Sequence, residues 1–129
     1  VCAVDLGPHS AAVVEWTARM VGELGAGFVV VHAVPAMEMH SGEYFDPEWR
    51  VRVENQAIER VEDLLHRVGA KAEVLVSSGD APKVVRCAAL RYRAALLAIG
   101  RGSAAGVFGR LRANAYAILR ESPCPVVSV

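Results

Sequence analysis

Residues 100–109, which read GRGSAAGVFG, contain the residue types best suited to binding chemistry in this chain. Glycines let backbone amides approach a phosphate closely, and the segment leads into a predicted helix whose N-terminus carries partial positive charge. Arg101, Arg110 and Arg112 lie in or beside it, and guanidinium groups pair well with phosphate oxygens. No Gly-Lys-Ser/Thr follows, so this is not a Walker loop. The pattern alone leaves two interpretations open: a phosphate site, or a flexible connection with solvated arginines.

Asp5 is the second candidate, because it follows the first apolar run and precedes the turn-forming residues 6–10. A carboxylate at that place can accept hydrogen bonds from a ribose or an adenine amino group, or help to hold a metal ion. It can also organise the turn alone, by accepting hydrogen bonds from nearby backbone amides. The sequence leaves both interpretations open.

The remaining polar side chains do not form a catalytic or metal-binding set. His9, His40 and His66 are scattered, with no cysteine or carboxylate at metal-ligand spacing. His32 lies among apolar residues, so we expect it to be a core histidine with a hydrogen-bond partner. The chain has no nucleophile elbow, no HExxH motif and no carboxylate pair in a usable arrangement. We therefore predict no catalytic residue, no bound metal and no enzyme activity from the residues themselves.

Composition excludes several classes of protein. The 129 residues suffice for one domain, and 53% of them are hydrophobic, which is enough for a core. Fourteen basic residues balance fourteen acidic ones, which argues against a general nucleic-acid binder. The longest apolar runs are strand-sized, far short of the roughly 18 residues of a membrane span. We expect residues 1–129 to form one domain whose partners include neither nucleic acid nor membrane.

Two features bear on the cellular location. No secretory signal opens the chain, and the three cysteines are too few and too scattered for a disulfide framework or a zinc site. We expect Cys2, Cys87 and Cys124 to be small core residues in a reducing compartment, which places the protein in the cytoplasm. Because the chain does not begin with Met, we also expect it to be trimmed or to be one segment of a longer or tandem protein.

Five short apolar runs alternate with longer amphipathic segments. The runs are nearly continuous in Val, Leu, Ile and Ala, and they cover residues 1–4, 28–34, 73–76, 95–99 and 126–129. Continuous apolar strands are buried on both faces, as in a parallel sheet that helices cover on both sides. The order β-α-β-α-β-α-β-α-β with right-handed crossovers predicts a single doubly wound α/β domain with a five-stranded parallel sheet. Periodicity leaves a Rossmann-like and a flavodoxin-like strand order open.

Capping residues mark the predicted helices. Ser10 is expected to cap the first helix, and Asp46 the second, which runs from about residue 47 to residue 68. The third helix follows the cap Asp80, and the fourth covers about residues 111–120. Three loops then lie at the carboxyl ends of the strands, where such sheets bind ligands: residues 5–9, 34–46 and 100–112.

The last strand, residues 126–129, would form an edge of the sheet. An exposed apolar edge invites pairing with another chain, so we predict a homodimer through this strand. The alternative is an edge that a neighbouring loop shields.

Four stretches, spread over the whole chain, carry a resemblance to a known family. They are Val4-Asp5 with His9-Ser10 and Val14-Glu15-Trp16, then Val31-His32-Ala33-Val34-Pro35, then Gly79-Asp80-Ala81-Pro82, and finally Ser122-Pro123-Cys124-Pro125-Val126-Val127. Together they resemble the opening strand and helix, the second strand, the third turn and the closing segment of the universal stress protein family. The resemblance implies a Rossmann-like fold of the adenine nucleotide alpha hydrolase-like type, with strand order 3-2-1-4-5. It also implies a crevice between strands one and four, and often dimerisation through the last strand.

One branch of that family binds ATP through a Gly-x2-Gly-x9-Gly-Ser/Thr motif, and the other branch lacks the motif and does not bind ATP. In this chain Gly100 takes the first glycine, Ser103 falls where the second should be, and Gly102 lies one place early. Arg112 and Ala113 stand at the closing Gly-Ser, and the loop is one residue shorter than the pattern. An arginine can attract phosphate, but it cannot leave the backbone as exposed as glycine does.

The resemblance therefore implies a stress-response domain that acts by binding and dimerisation, with ATP binding weakened or lost. The residues it assigns to nucleotide binding are Asp5, Val34, Gly100, Gly102, Ser103, Arg112 and Ala113. The alternative is a universal stress protein that binds ATP or another adenine nucleotide, and that could be a slow ATPase with arginines beside a transferred phosphate. A flavin-binding domain and a receiver domain share the fold class, but a receiver needs an acidic cluster where only Asp5 stands.

Overall fold

A computed structural model of the chain describes residues 1–35, 47–101 and 110–129. Its elements are, in chain order, β1 (Cys2–Ala3), α1 (Ser10–Glu23), β2 (Val29–Val34), α2 (Pro47–Arg67), β3 (Glu73–Ser78), α3 (Ala81–Arg91), β4 (Leu97–Ile99), α4 (Arg110–Glu121) and β5 (Val126–Ser128). All five strands are parallel, in one sheet with the order β3-β2-β1-β4-β5, which confirms the predicted fold. None of the described helices combines the length and the apolar character needed to cross a membrane.

The sheet is buried on both faces, as the continuous apolar runs predict. Val30 in β2 packs with Cys2 and Ala98 in the cluster that α1 and α2 cover. Its neighbours Val29 and Val31 pack in the cluster that α3 and α4 cover. Successive side chains of a strand point to opposite faces, so a strand covered on both sides needs an apolar residue at every position.

The bounds of the strands differ from those of the apolar runs. β1 is limited to Cys2–Ala3 and β4 to Leu97–Ile99, whereas β3 extends to Ser78, beyond its apolar residues. The extension occurs because β3 pairs with β2 residue by residue, up to Val34 against Ser78. Hydrogen bonding to a neighbouring strand, rather than apolar content, decides the length of a strand.

The N-termini of the helices show that one predicted cap is wrong and that another makes no capping bond. Ser10 is the first residue of α1 rather than its N-cap, so that prediction is wrong; His9 occupies the cap position without a side-chain hydrogen bond. The reason is that the Ser10 hydroxyl donates to Asp5 instead of accepting from the helix. Asp80 is the N-cap of α3, as predicted, but its side chain makes no capping bond. Asp46 lies outside the described residues.

The strand order decides where a ligand could lie. β1 pairs with β2 on one side and with β4 on the other. The chain leaves β1 through α1 toward β2, and it leaves β4 through α4 toward β5 on the opposite side. Connections that part in this way open a gap at the carboxyl ends of the two strands.

Candidate functional site

A crevice of about 430 Å³ opens at the carboxyl ends of β1 and β4. Its apolar floor comprises Ala3, Val31, Val85, Ile99 and Ile118. Its polar side chains come from the turn after β1, from the start of α1, from β2, from α2 and from α4; they are Asp5, His9, Ser10, His32, Arg60 and Asn114. The volume lies within the range of about 300–1,000 Å³ that small-molecule sites occupy. An apolar floor with a few polar groups at its rim can hold an aromatic base and orient its polar substituents.

The turn between β1 and α1 is built around Asp5. Its Oδ1 accepts hydrogen bonds from Gly7 N at 2.8 Å and from Ser10 Oγ at 3.0 Å. Leu6 has a left-handed φ of 58°, and a Cβ at Gly7 would meet Asp5 Oδ1 at 2.9 Å, so a larger residue would displace the carboxylate. The Asp5 side chain is exposed, and within the described residues its Oδ2 accepts no hydrogen bond. Asp5 thus organises the turn with one oxygen and leaves the other available to a ligand.

The crevice brings together two of the residues assigned from the sequence. Asp5 and Gly100 both line it. Gly100 lies so close to α1 that a Cβ there would be 3.2 Å from Val13 Cγ2, which favours glycine at the end of β4. Val34 is buried at the end of β2 and is not among the described lining residues, although its neighbour Ala33 is.

The other four assigned residues belong to the segment before α4 and to its first turn. Gly102 and Ser103 lie outside the described residues. Arg112 and Ala113 are in α4, but their side chains lie outside the described part of the chain. The next residue, Asn114, lines the crevice, so α4 does face it.

Five polar side chains of the crevice were not assigned to it from the sequence: His9, Ser10, His32, Arg60 and Asn114. The Nδ1 of His32 lies 2.9 Å from Val4 O, which confirms the expected hydrogen bond, but the side chain is half-buried at the crevice rather than in the core. Arg60 and Asn114 reach the crevice from α2 and α4. No local pattern marks Arg60, because only the packing of α2 beside the β1–α1 turn brings it there.

The described cysteines offer no nucleophile to the crevice. Burial raises the pKa of the Cys2 thiol to about 11, so this group stays protonated at neutral pH. Cys124 is partly buried, but Cys87 is exposed, and the expectation of a core position is wrong for it. The reason is that the buried stripe of α3 runs through Val85 and Ala88. Among the described residues, no group of three or more His, Cys, Asp or Glu could hold a metal ion.

A carboxylate on α2 anchors the turn that carries α3 to the crevice. Glu54 Oε1 accepts hydrogen bonds from Ser78 Oγ at 2.6 Å, from Ser78 N at 3.1 Å and from Arg50 Nε at 3.3 Å. Ser78 ends β3, and Ala81, which begins α3, lines the crevice. The Ser78 hydroxyl above all, with help from Arg50, holds the pKa of Glu54 below its ordinary value of 4.5.

This anchor predicts a pH-dependent contribution to stability. Because the pKa of Glu54 is lower in the folded than in the unfolded state, its stabilisation is complete above about pH 4.5 and is lost as the pH falls through the folded-state pKa. Glu54→Gln should therefore lower the free energy of unfolding at neutral pH and have a smaller effect near pH 3. Urea unfolding at both pH values measures the difference. Glu59→Gln, exposed on the same helix, is the control, and an equal effect of the two substitutions at both pH values would contradict the prediction.

The fold and the crevice define a class: doubly wound α/β proteins of Rossmann-like architecture, with a ligand crevice where the strand order reverses. The model of the universal stress protein family matches residues 1–129, so the chain belongs to the universal stress protein family. No curated protein matches the chain.

Solved structures share this fold at low sequence identity. A universal stress protein in complex with cAMP is 16% identical, with a TM-score of 0.72 over 99% of this chain and 93% of that one. The universal stress protein from Archaeoglobus fulgidus in complex with dAMP is 18% identical, with a TM-score of 0.69 over 98% and 93%. The universal stress protein from Lactobacillus plantarum is 13% identical, with a TM-score of 0.71 over 98% and 93%. At such identities the likeness shows the fold alone.

Proposed function

We propose that this chain is a stress-response domain that acts by binding an adenine nucleotide and by dimerisation, and that its affinity for ATP is weakened. The observation that carries the proposal is the crevice, which combines an apolar floor with the available Asp5 Oδ2 and the close backbone of Gly100. Similar proteins solved with cAMP and with dAMP support an adenine nucleotide as the ligand class. We assign no catalytic residue.

The weakened affinity for ATP follows from the first turn of α4. A triphosphate needs several closely placed donors, and a closing Gly-Ser would supply backbone amides and a hydroxyl. Arg112 and Ala113 take those two positions, where a Cβ on each residue hinders the close approach of a phosphate to the backbone. A nucleotide with a single phosphate makes fewer demands on this turn, so we infer that the monophosphate binds at least as well as ATP.

Isothermal titration with AMP, ADP and ATP tests this function. We expect AMP to bind. We expect ATP to bind no more tightly than AMP, with a dissociation constant above the micromolar range. The double substitution Arg112→Gly with Ala113→Ser restores the family pattern at these positions, and it should strengthen ATP binding by about tenfold, the value of one recovered charge-assisted hydrogen bond. Micromolar or tighter binding of ATP to the unaltered protein would overturn the weakened affinity, and phosphate release above a protein-free control would favour a slow ATPase.

We further infer that the domain forms a homodimer through β5, binds neither nucleic acid nor membrane, and works in the cytoplasm. Three free cysteines, one of them exposed, suit a reducing compartment. We also infer that residues 1–129 make up one domain, and that this domain is one segment of a longer or tandem protein. One similar universal stress protein from Archaeoglobus fulgidus is longer: the match covers 98% of this chain but 41% of that one.

A further inference from the structure

A second cavity, of about 620 Å³, adjoins the crevice on the side of α2. It lies between the β1–α1 turn and the exposed face of α2. Four residues line both spaces: Gly7, Pro8, Ser10 and Arg60. A ligand in the crevice therefore has Arg60 at the border between its own site and the second cavity.

Arg60 is the unusual charge at this border. Among the described residues that line the crevice it is the only arginine or lysine, and Asp5 is the only carboxylate. The structure shows no ion pair or hydrogen bond of Arg60 with any described residue, whereas Arg50 on the same helix is paired with Glu54. An unpaired guanidinium keeps all of its forked donors available to an anion.

The second cavity also favours an anion beyond the border. Arg60 and Arg67 both line it, and Asp63 is the only carboxylate among its described lining residues. Within the second cavity two arginines thus face one carboxylate, a local excess of positive charge in a chain that has no net charge.

We propose that Arg60 pairs with the phosphate of an adenine nucleotide monophosphate held in the crevice. The assignment rests on the proposed function and adds to it a direction: the anionic group lies toward α2, not toward the first turn of α4. The apolar floor holds the base, Asp5 Oδ2 accepts from the base or the ribose, and the Arg60 guanidinium donates to the phosphate oxygens. The chain can thus bind a nucleotide monophosphate even though Arg112 and Ala113 replace the Gly-Ser that would contact phosphates.

Isothermal titration of AMP and adenosine against the whole chain and three variants tests the pairing. Arg60→Gln should weaken AMP binding about tenfold, because it removes one charge-assisted pair, and it should leave adenosine binding unchanged. Arg60→Lys should lose less AMP affinity than Arg60→Gln, since lysine keeps the positive charge but lacks the paired N–H donors of the guanidinium. Arg86→Gln is the matched control: it removes the same charge from an exposed position on α3 that lines neither cavity, and it should leave AMP binding unchanged. Circular dichroism checks that every variant is folded.

The possible results separate the pairing from the function beneath it. Unchanged AMP affinity in Arg60→Gln would overturn the pairing and leave nucleotide binding intact. Equal losses for AMP and adenosine would also overturn it, because they would mean that Arg60 supports the turn rather than the phosphate. Equal losses in Arg60→Gln and Arg86→Gln would overturn it too, because they would show an effect of net charge rather than of a specific pair. If the unaltered protein bound neither AMP nor adenosine, the nucleotide-binding function would fail, and the assignment of Arg60 with it.

Discussion

Asp5→Ala is expected to destabilise the domain by about 2 kcal/mol, because it leaves the buried Ser10 hydroxyl without an acceptor. Ser10 is 4% exposed and donates to a charged acceptor, so the loss of this bond costs more than the loss of the more accessible bond from the Gly7 amide. The same substitution removes the oxygen that we assign to the ligand, so AMP binding should fall as well. Urea unfolding measures the first effect and isothermal titration the second.

Two variants separate these roles of Asp5. Asp5→Asn keeps an acceptor oxygen for Gly7 and Ser10, so it should retain most of the stability while it removes the negative charge from the crevice. Asp80→Ala is the matched control, because Asp80 is exposed at the start of α3 and makes no capping bond; its effect should stay within about 0.5 kcal/mol. A change of that small size in Asp5→Ala would contradict the view that Asp5 holds the turn together.

Ser128→Pro is expected to convert the proposed dimer into a monomer. Pro125 O accepts a hydrogen bond from Leu97 N, and Val129 N donates one to Ile99 O, both at 2.9 Å. Pro125 and Val129, which flank β5, therefore bond inward to β4. Because parallel ladders bond at alternate residues, the N–H and C=O groups of Ser128 point to the free edge. Proline there removes an outward donor and leaves the bonds to β4 intact.

Sedimentation velocity measures the change, and Ser128→Ala, which keeps the backbone N–H, is the control that should remain dimeric. Val127 is a poorer choice for this test, because its side chain packs against the core and a polar replacement would also weaken the fold. A Ser128→Pro protein that is folded and still dimeric would place the interface away from β5. A monomeric unaltered protein would overturn the homodimer itself.

Much of the fold was predictable from local patterns. The continuous apolar runs predicted strands buried on both faces, and Val29, Val30 and Val31 show why: successive residues of β2 alternate between two helix-covered clusters. The order of the strands came only with the family resemblance, since periodicity carries no information about neighbours. The end of β3 was missed, because Ser78 belongs to the strand through its pairing with Val34 rather than through its side chain.

The candidate site was less predictable, and the reason is the distance along the chain between its parts. The sequence by itself determined the alternation of elements and the carboxylate after the first strand, and the family resemblance added that Arg112 and Ala113 stand where a closing Gly-Ser is expected. The tertiary structure alone decided that Asp5 divides its oxygens between the turn and the crevice, and that Arg60 lies at the border of the crevice. Local spacing reports which face of an element is buried, but contacts between α2 and the β1–α1 turn exist only after the chain has packed.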